Sequence, residues 1–323
     1  MYDYQLTTFP QSPWGFIQEF SHNHIYIKRE DLLPYCFGGN KARIAQEYYK
    51  DMQLQGCDVM IGYGNSRSNL CRVMANIGRE NFYMVQPSNE DGSFTESSNS
   101  RLVSLFGSHI ITCTRDSIAD TIQQLMDGLI KEGHCPYYTN GNAHGIGNEA
   151  VPVRAYVRVF EEIQYQAIKK GVHVDYIFLA AGTCMTMSGL ICGQECFKNE
   201  IAPKIVGMAV AHPRERGYSN LQRYISAFRN ACGGDFSVSY EYDDTCLCGG
   251  YAKSNEEIAN VIKTNMENYG IPMDETYTGK AYWGMLEYIR RKEITGKNIL
   301  FIHTGGTPLF FDKLLLSSDS KLA

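Results

Sequence analysis

The chain has 323 residues, of which 44% are hydrophobic and 20% are charged, and its net charge is −5. This profile is typical of a soluble globular protein, long enough for one large core or two moderate domains. Lysine and arginine are scattered along the chain, which argues against a nucleic-acid-binding surface or a basic membrane-binding one.

The cysteines and the N-terminus predict a cytoplasmic protein. Eleven cysteines occur at irregular spacings, and the pair in "CLC", Cys246 and Cys248, lacks the geometry of a zinc or redox motif. We therefore expect reduced, mostly buried thiols. The N-terminal "MYDYQLTTFP" has no pattern of a signal peptide, and no apolar run is long enough to cross a bilayer. The eight histidines form no spacing that predicts a metal site.

Seven short apolar runs predict β-strands. In chain order they are "HIYIK" (24–28), "DVMIGYG" (58–64), "FYMVQ" (82–86), "SHIITC" (108–113), "DYIFLAAG" (175–182), "IVGMAV" (205–210) and "NILFIHTGG" (298–306). Helix-like stretches lie between them, and three that end in glycine, as helices often do, cover 41–56, 117–133 and 255–270. This alternation predicts an α/β fold with mainly parallel sheets and helices on both faces.

Three strands run directly into glycine-containing turns: "GYGNSRSN", "AAGTCMTMSG" and "HTGG". In parallel α/β sheets, ligands collect at the carboxyl ends of strands, where such turns meet helix N-termini. The turns therefore indicate a cofactor site. None of them matches GxGxxG or GxxxxGK[ST], which argues against a dinucleotide or a P-loop nucleotide.

The stretch "KREDLLPYCFGGNKAR" (28–43) places Lys41 directly after a glycine turn. A lysine at such a helix start is often a solvated surface residue. The functional alternative is a lysine that forms a Schiff base, whose amine must be partly desolvated and held close to a carbonyl carbon. Glycines beside it would let a planar ring lie close to the backbone.

In combination, these motifs resemble those of the pyridoxal-phosphate (PLP) enzymes of fold type II, the tryptophan-synthase-β-like group. The closest resemblance is to the family of D-cysteine desulfhydrase and 1-aminocyclopropane-1-carboxylate (ACC) deaminase. It extends over most of the chain, from about "FPQSP" to "HTGG", and rests on "IYIKREDL", "GGNK" with a following arginine, "QGCD", a Ser-Asn turn, "YTGKA" and "HTGG".

The resemblance implies two α/β domains with mainly parallel sheets and PLP in the cleft between them. Residues 1–44 plus 156–323 would form the large PLP-binding domain, and residues 45–155 the small one. It also implies a homodimer. Lys41 would hold PLP as a Schiff base and then, once substrate displaces it, move the proton at or near Cα. Gly38 and Gly39 would give the ring room.

The Ser-Asn pair of the family has two possible positions in "GNSRSN". Counting forward from Lys41 places it at Ser68 and Asn69, whereas counting backward from Gly78 places it at Gly64 and Asn65. We prefer the first register because Arg72 then matches the family's arginine. In it, Asn69 would donate to the PLP 3′ oxygen and Ser68 would lie near the substrate carboxylate and Cα. Leu70 replaces the family's histidine or glutamine.

The turn "AAGTCMT" matches the phosphate-binding loop of the family. Backbone N–H groups at a helix N-terminus and small hydroxyl residues suit a phosphate. Met185 stands where the family usually has glycine, so we expect a bulkier loop here. The cofactor-binding residues implied in this loop are Gly182, Thr183, Cys184, Met185 and Thr186.

The C-terminal motifs supply the remaining site residues. Tyr277 in "YTGKA" and Tyr251 in "CGGYAKS" match active-site phenols, and Thr304 in "HTGG" matches the residue that faces the pyridine nitrogen. ACC deaminases carry a glutamate after the tyrosine, whereas this chain has Thr278, as desulfhydrases do. A neutral hydroxyl there suits β-elimination better than the opening of a cyclopropane.

The sequence thus predicts a PLP-dependent lyase or deaminase that removes the Cα proton of a small amino acid and expels its β-substituent, giving a keto acid and ammonia. D-cysteine or a related β-substituted alanine is the expected substrate. The alternatives are a β-replacement synthase acting on an O- or S-substituted serine or cysteine, ACC deaminase, and a non-catalytic member that binds PLP or an amino acid.

Overall fold

The computed structural model describes residues 10–197, 202–233 and 238–312. In these ranges the strands are β1 (Trp14–Phe20), β2 (Asn23–Arg29), β3 (Val59–Tyr63), β4 (Phe82–Pro87), β5 (His109–Cys113), β6 (Pro136–Tyr138), β7 (Tyr176–Ala181), β8 (Lys204–Ala209), β9 (Tyr240–Asp243) and β10 (Asn298–His303). The helices are α1 (Asn40–Leu54), α2 (Asn69–Gly78), α3 (Ser98–Leu105), α4 (Ile118–Lys131), α5 (Ala150–Lys170), α6 (Met185–Cys196), α7 (Arg214–Cys232), α8 (Glu256–Tyr269) and α9 (Thr278–Arg291).

The strands form two sheets. A six-stranded sheet has the order β1-β2-β10-β7-β8-β9, and a four-stranded sheet has the order β5-β4-β3-β6. Every pairing is parallel except that of β1 with β2. The predicted α/β class with mainly parallel sheets is therefore confirmed.

All seven predicted strands and the three predicted helices are present, with shifts of up to three residues at their ends. The central strands β7 and β10 are buried over nearly their whole length, since helices cover both faces of a parallel sheet. Three strands were not predicted. β1 is an antiparallel edge strand, β6 has only three residues, and β9 reads "YEYD", which has no apolar run.

The charged motif before the glycine turn is buried in the scaffold. Glu30 is fully buried and accepts hydrogen bonds from Arg43 Nε at 2.8 Å, Tyr156 Oη at 2.8 Å and Ser12 Oγ at 2.5 Å. Lys28, also fully buried, pairs with Glu162 at 2.6 Å. Arg43 and the Lys28 charge keep the pKa of Glu30 low despite the burial that opposes it. These residues fasten α1 and α5 to β2.

Helices α5 and α6 pack at very short range because α6 carries glycines on the shared face. A Cβ on Gly189 would overlap the Cβ of Tyr156, and one on Gly193 would lie 2.6 Å from the Cβ of Phe160. The backbone of α6 therefore rests directly on α5. Within the described ranges, no helix is long and apolar enough to cross a membrane.

Candidate active site

Lys41 is the second residue of α1, which begins where the glycine turn ends. Gly38 and Gly39 have φ values of 55° and 94°, which favour glycine. A Cβ on Gly39 would lie 2.9 Å from the carbonyl oxygen of Thr304. The turn before Lys41 thus packs against the "HTGG" turn at a distance that only glycine allows.

The Lys41 amine is titratable in an unusual pH range. Its side chain keeps partial exposure, but desolvation lowers the pKa of the amine to about 8. Burial raises the pKa of the nearby Cys184 thiol to about 12, so this thiol stays neutral and does not pair with the lysine. No hydrogen bond or ion pair of Lys41 Nζ is formed with the described residues. Such an amine can act as a nucleophile or a base near pH 8.

Asn40 joins three of the turns around this lysine. Its backbone N–H donates to Thr304 O at 3.0 Å, and its Nδ2 donates to Thr186 Oγ1 at 2.7 Å. Because β7 and β10 are parallel neighbours, their carboxyl ends lie at the same edge of the sheet. The lysine turn, the "AAGTCMT" loop after β7 and the "HTGG" turn after β10 therefore meet there.

Ser68 and Asn69 lie at the start of α2. Ser68 is the N-cap, and its Oγ accepts from Cys71 N at 3.2 Å. Asn69 Oδ1 accepts from Arg72 Nη1 at 2.9 Å and from Asn99 Nδ2 at 3.0 Å. With its oxygen held by two donors, Asn69 has its Nδ2 available to donate to a ligand.

Arg72 ties this helix start to the lysine turn. Its side chain is fully buried, and its Nη2 donates to Gly38 O at 3.1 Å. Burial lowers the pKa of the guanidinium to about 10. Arg72 forms no ion pair with a carboxylate among the described residues. A buried positive charge without a direct counter-ion therefore lies next to Asn69.

The loop after β7 has the features of an anion site. Cys184 is the N-cap of the twelve-residue α6 and has a left-handed φ of 68°. The first turn of a helix leaves N–H groups without helical acceptors, and here these belong to a turn with two threonines, Thr183 and Thr186. The Met185 side chain packs into the main hydrophobic cluster. The larger side chain that replaces the family's glycine at this position is therefore part of the hydrophobic core.

The phenols of Tyr251 and Tyr277 contact each other. Tyr251 Oη and Tyr277 Oη are 2.7 Å apart, and their rings contact edge to face. Tyr251 Oη also donates to Asn65 Oδ1 at 3.4 Å. Burial is the main reason why the pKa of each phenol is raised, that of Tyr277 strongly. Both are neutral hydrogen-bond donors at physiological pH.

Asp274, which lies three residues before Tyr277, belongs to none of the motifs in the sequence and was not predicted. Its Oδ1 accepts from Tyr277 N at 2.6 Å, and its backbone N–H donates to Thr278 Oγ1 at 3.0 Å. Its Oδ2 is buried without a hydrogen-bond partner in the described ranges and points to Gly306, where a Cβ would lie 2.5 Å away. Desolvation raises the pKa of this carboxyl to about 7. Its closeness in sequence to "YTGKA" is the feature that could have indicated it as a site residue.

Thr304 is held in place by the residue before it. His303 Nε2 lies 2.8 Å from Pro272 O, and His303 Nδ1 lies 3.3 Å from both Gly305 N and Asp31 Oδ1. Burial lowers the pKa of the imidazole, and the charge of Asp31 opposes this shift. Thr304 is buried beside the lysine turn.

The donor set fits PLP. A partly desolvated lysine suits its aldehyde carbon, a helix N-terminus with threonines suits its phosphate, and a free amide N–H suits its 3′ oxygen. The glycine turn leaves the backbone without Cβ atoms beside the lysine. No group of three metal-ligating side chains is found in the described residues.

Three comparisons with known proteins agree on the family. The family model described as "Pyridoxal-phosphate dependent enzyme" matches residues 11–305. A protein from Pyrococcus horikoshii named putative 1-aminocyclopropane-1-carboxylate deaminase is 32% identical over 302 residues, which cover 90% of this chain and 88% of that protein. A D-cysteine desulfhydrase from Serratia proteamaculans is 27% identical, with 91% and 90% covered.

Solved structures give the same result. The crystal structure of an ACC deaminase homologue superposes with a TM-score of 0.81 at 28% identity, covering 95% of this chain and 93% of that one. A cysteine synthase from Entamoeba histolytica superposes with a TM-score of 0.67 at 15% identity, covering 98% and 91%. At that identity the second likeness concerns the fold alone.

Proposed function

The chain belongs to the family of pyridoxal-phosphate-dependent enzymes, and from this premise we propose that it eliminates the β-substituent of a small amino acid to give a keto acid and ammonia. D-cysteine and related β-substituted alanines are the proposed substrates, in line with the names of relatives. The observation that carries the proposal is Lys41, whose amine has a pKa of about 8 and lies where three ligand-binding turns meet.

Each part of the site has a proposed role toward the cofactor. PLP, when bound, supplies an electron sink that acidifies the Cα–H bond of the amino acid attached to it. Lys41 would hold the cofactor's aldehyde carbon and later take the Cα proton. Asn69 would hold the 3′ oxygen and Thr304 would lie beside the pyridine nitrogen. The phosphate would be held by Gly182, Thr183, Cys184, Met185 and Thr186.

The remaining residues would bind the substrate. Ser68 and the N-terminus of α2 would hold the α-carboxylate, since free N–H groups at a helix start attract anions. Tyr277, with Tyr251 hydrogen-bonded to it, would donate a proton to the departing group. Thr278 offers a hydroxyl where ACC deaminases carry a carboxylate, which favours β-elimination over cyclopropane opening.

We take Ser68 and Asn69, and not Gly64 and Asn65, as the family's Ser-Asn pair. The support is the contact of Arg72 with the lysine turn, together with its hydrogen bond to Asn69 Oδ1. Asn65 also has its oxygen held by two donors, Tyr251 Oη and the backbone N–H of Arg67, but no arginine links it to that turn.

We also propose that residues 1–44 plus 156–323 form the large domain and residues 45–155 the small one, with PLP in the cleft between them. The four-stranded sheet, whose strands lie between residues 59 and 138, supports this division. A homodimer is proposed from the resemblance, and a cytoplasmic location from the cysteine usage. Light scattering of the purified protein would measure the subunit number.

The cofactor role of Lys41 is tested by Lys41→Ala. We expect the purified protein to show the visible absorption of lysine-bound PLP, and the variant to lose it together with keto acid formation. Lys50→Ala, on the same helix but at an amine that pairs with Glu47, is the matched control and should keep both. Because only the neutral amine adds to an aldehyde, PLP uptake by the apo-protein should accelerate as pH rises through about 8. A wild-type protein that stays colourless with excess PLP would refute the proposal.

A substrate panel tests the reaction. We expect keto acid and ammonia from D- or L-cysteine or β-chloroalanine, without any need for an added thiol or amine. Release of hydrogen sulfide and pyruvate from cysteine in buffer alone identifies elimination. Turnover that requires a second nucleophile would instead identify β-replacement, and turnover of ACC alone would identify the deaminase.

A further inference from the structure

Lys280, the lysine of "YTGKA", has no role in the proposed reaction and an unfavourable position in the fold. Its side chain is 1% exposed, and it lies in the first turn of α9, where the helix dipole disfavours a positive charge. It forms no ion pair with a carboxylate among the described residues. A buried charge in such surroundings costs stability unless its hydrogen bonds offset the loss of water. The contacts of its ammonium group therefore indicate what Lys280 does.

The Lys280 ammonium binds the backbone of the loop between β9 and α8. Its Nζ donates to Gly250 O at 2.7 Å and to Leu247 O at 3.2 Å. The same two carbonyl oxygens close turns within the loop, since Gly250 O accepts from Lys253 N at 3.3 Å and Leu247 O accepts from Gly250 N at 3.2 Å. One side chain thus holds both turns.

The backbone of this loop has an unfavourable conformation. Cys248 and Ala252 have left-handed φ values of 54° and 57°, which are uncommon for residues other than glycine. Gly249 and Gly250 also have positive φ values, of 78° and 121°. A segment with such a backbone keeps one conformation only when contacts from the surrounding structure hold it. Lys280 supplies two of these contacts.

Tyr251 lies within this left-handed segment. It directly follows Gly250, whose carbonyl oxygen Lys280 binds, and its Oη lies 2.7 Å from Tyr277 Oη. Tyr277 is the N-cap of α9, three residues before Lys280. The start of α9 therefore holds Tyr251 at two points, the backbone through Lys280 and the phenol through Tyr277.

We propose that Lys280 is a positioning residue, which keeps Tyr251 in hydrogen-bond contact with Tyr277 so that this pair of phenols can protonate the departing group. This inference rests on the proposed function and specifies how the site treats a leaving group that needs a proton. For S-methylcysteine, Lys41 takes the Cα proton, the C–S electron pair leaves with the sulfur, and the phenols supply the proton that makes methanethiol. Water completes the balance, giving pyruvate and ammonia. From β-chloroalanine, chloride leaves without a proton.

The test compares these two leaving groups in Lys280→Met holoenzyme. Methionine is unbranched like lysine but has no N–H group to bind the two carbonyl oxygens. We expect the ratio of kcat for β-chloroalanine over S-methylcysteine to rise about 10- to 100-fold, because loss of a positioned proton donor slows only the reaction that needs one. Tyr251→Phe should raise the ratio as well. In a Tyr251→Phe background, Lys280→Met should then change it little.

Lys263→Met is the matched control, since it removes an exposed amine that pairs with exposed Glu267. It should leave the ratio unchanged. Equal losses with both substrates in Lys280→Met would overturn the inference, because they are the result expected of a lysine that only stabilises the fold. Changes in the ratio that multiply in the double variant would overturn it too, since Lys280 would then act independently of Tyr251.

Hydrogen exchange of the same proteins gives a measurement that does not depend on turnover. The amides of Gly250 and Lys253 should exchange faster in Lys280→Met than in the wild type, and unchanged exchange would overturn the inference. Lys280→Gln, which keeps a neutral donor, should show smaller changes in both measurements and replaces the methionine variant if that protein does not fold. A wild-type enzyme that forms keto acid from no amino acid would instead overturn the proposed function, while exchange would still report what Lys280 holds.

Discussion

At Asn69 the orientation of one amide decides which of its atoms is available to the proposed cofactor. Arg72 and Asn99 both donate to its oxygen, and this leaves the NH2 group toward the place proposed for the cofactor. Arg72 does not itself need to touch the cofactor to matter. It is a positioning residue, and its buried charge also favours an anionic oxygen on the far side of Asn69.

Arg72→Lys tests this positioning role. Lysine keeps the charge but cannot donate in a fork to Asn69, Asn99 and Gly38 together. We expect the affinity of the apo-protein for PLP to fall about tenfold, the loss of one hydrogen bond to a charged group. PLP titration followed by visible absorption measures it.

The control for Arg72→Lys is a double-mutant cycle. If Arg72 acts through Asn69, the Arg72→Lys change should cost little in an Asn69→Ala background. Losses that simply add would show that Arg72 acts independently of the amide.

Single residues of the site differ in how far the sequence reveals them. The proposed site residues Lys41, Ser68, Tyr277 and Thr304 stand in short local motifs, so the sequence alone suggests them. Asn99 holds Asn69 and Arg72 only because α3 and α2 come together in space. Local patterns carry no information about such contacts.

At the scale of helices and strands, burial explains both the correct predictions and the omissions. Strands β7 and β10 are continuous apolar runs because helices cover both faces of their sheet. Helix α6 is buried on nearly every side and so lacks the one-sided pattern by which surface helices are recognised. Edge strands β1 and β9 carry polar residues for the opposite reason.

The contact of α6 with α5 predicts an asymmetry between two glycines. Gly189→Ala should lower the free energy of unfolding by about 1–3 kcal/mol, because the added methyl overlaps Tyr156. Gly128→Ala, in α4 with no atom within 4 Å of the new methyl, should instead stabilise by up to about 1 kcal/mol. Urea denaturation measures both. Equal effects would contradict the close packing.

Across the whole molecule, Glu30 connects stretches far apart in sequence. It accepts from Ser12 near the N-terminus, from Arg43 on α1 and from Tyr156 on α5. The "KRED" segment therefore mainly stabilises the packing of α1 and α5. Because Lys41 lies on α1, this packing also fixes its position. The sequence alone indicates the lysine, but it does not indicate these distant partners.

Glu30→Gln should destabilise the fold by up to about 3–5 kcal/mol, because the buried Arg43 loses one of its two carboxylate partners, Glu162 being the other. Glu161→Gln on the exposed face of α5 should change stability by less than about 0.5 kcal/mol. Guanidinium denaturation compares the two. A Glu30→Gln protein as stable as the wild type would show that the cluster contributes no net stability.

The contact between Gly39 and Gly305 restricts how this enzyme can evolve. A methyl group on Gly305 would lie 2.6 Å from the Cα of Gly39, and one on Gly39 would strike Thr304. Neither glycine can accept a side chain unless the other turn moves. New substrate preferences should therefore arise by substitution elsewhere around the proposed site, in the loops of Ser68 and Tyr251, while the glycines beside Lys41 remain nearly invariant.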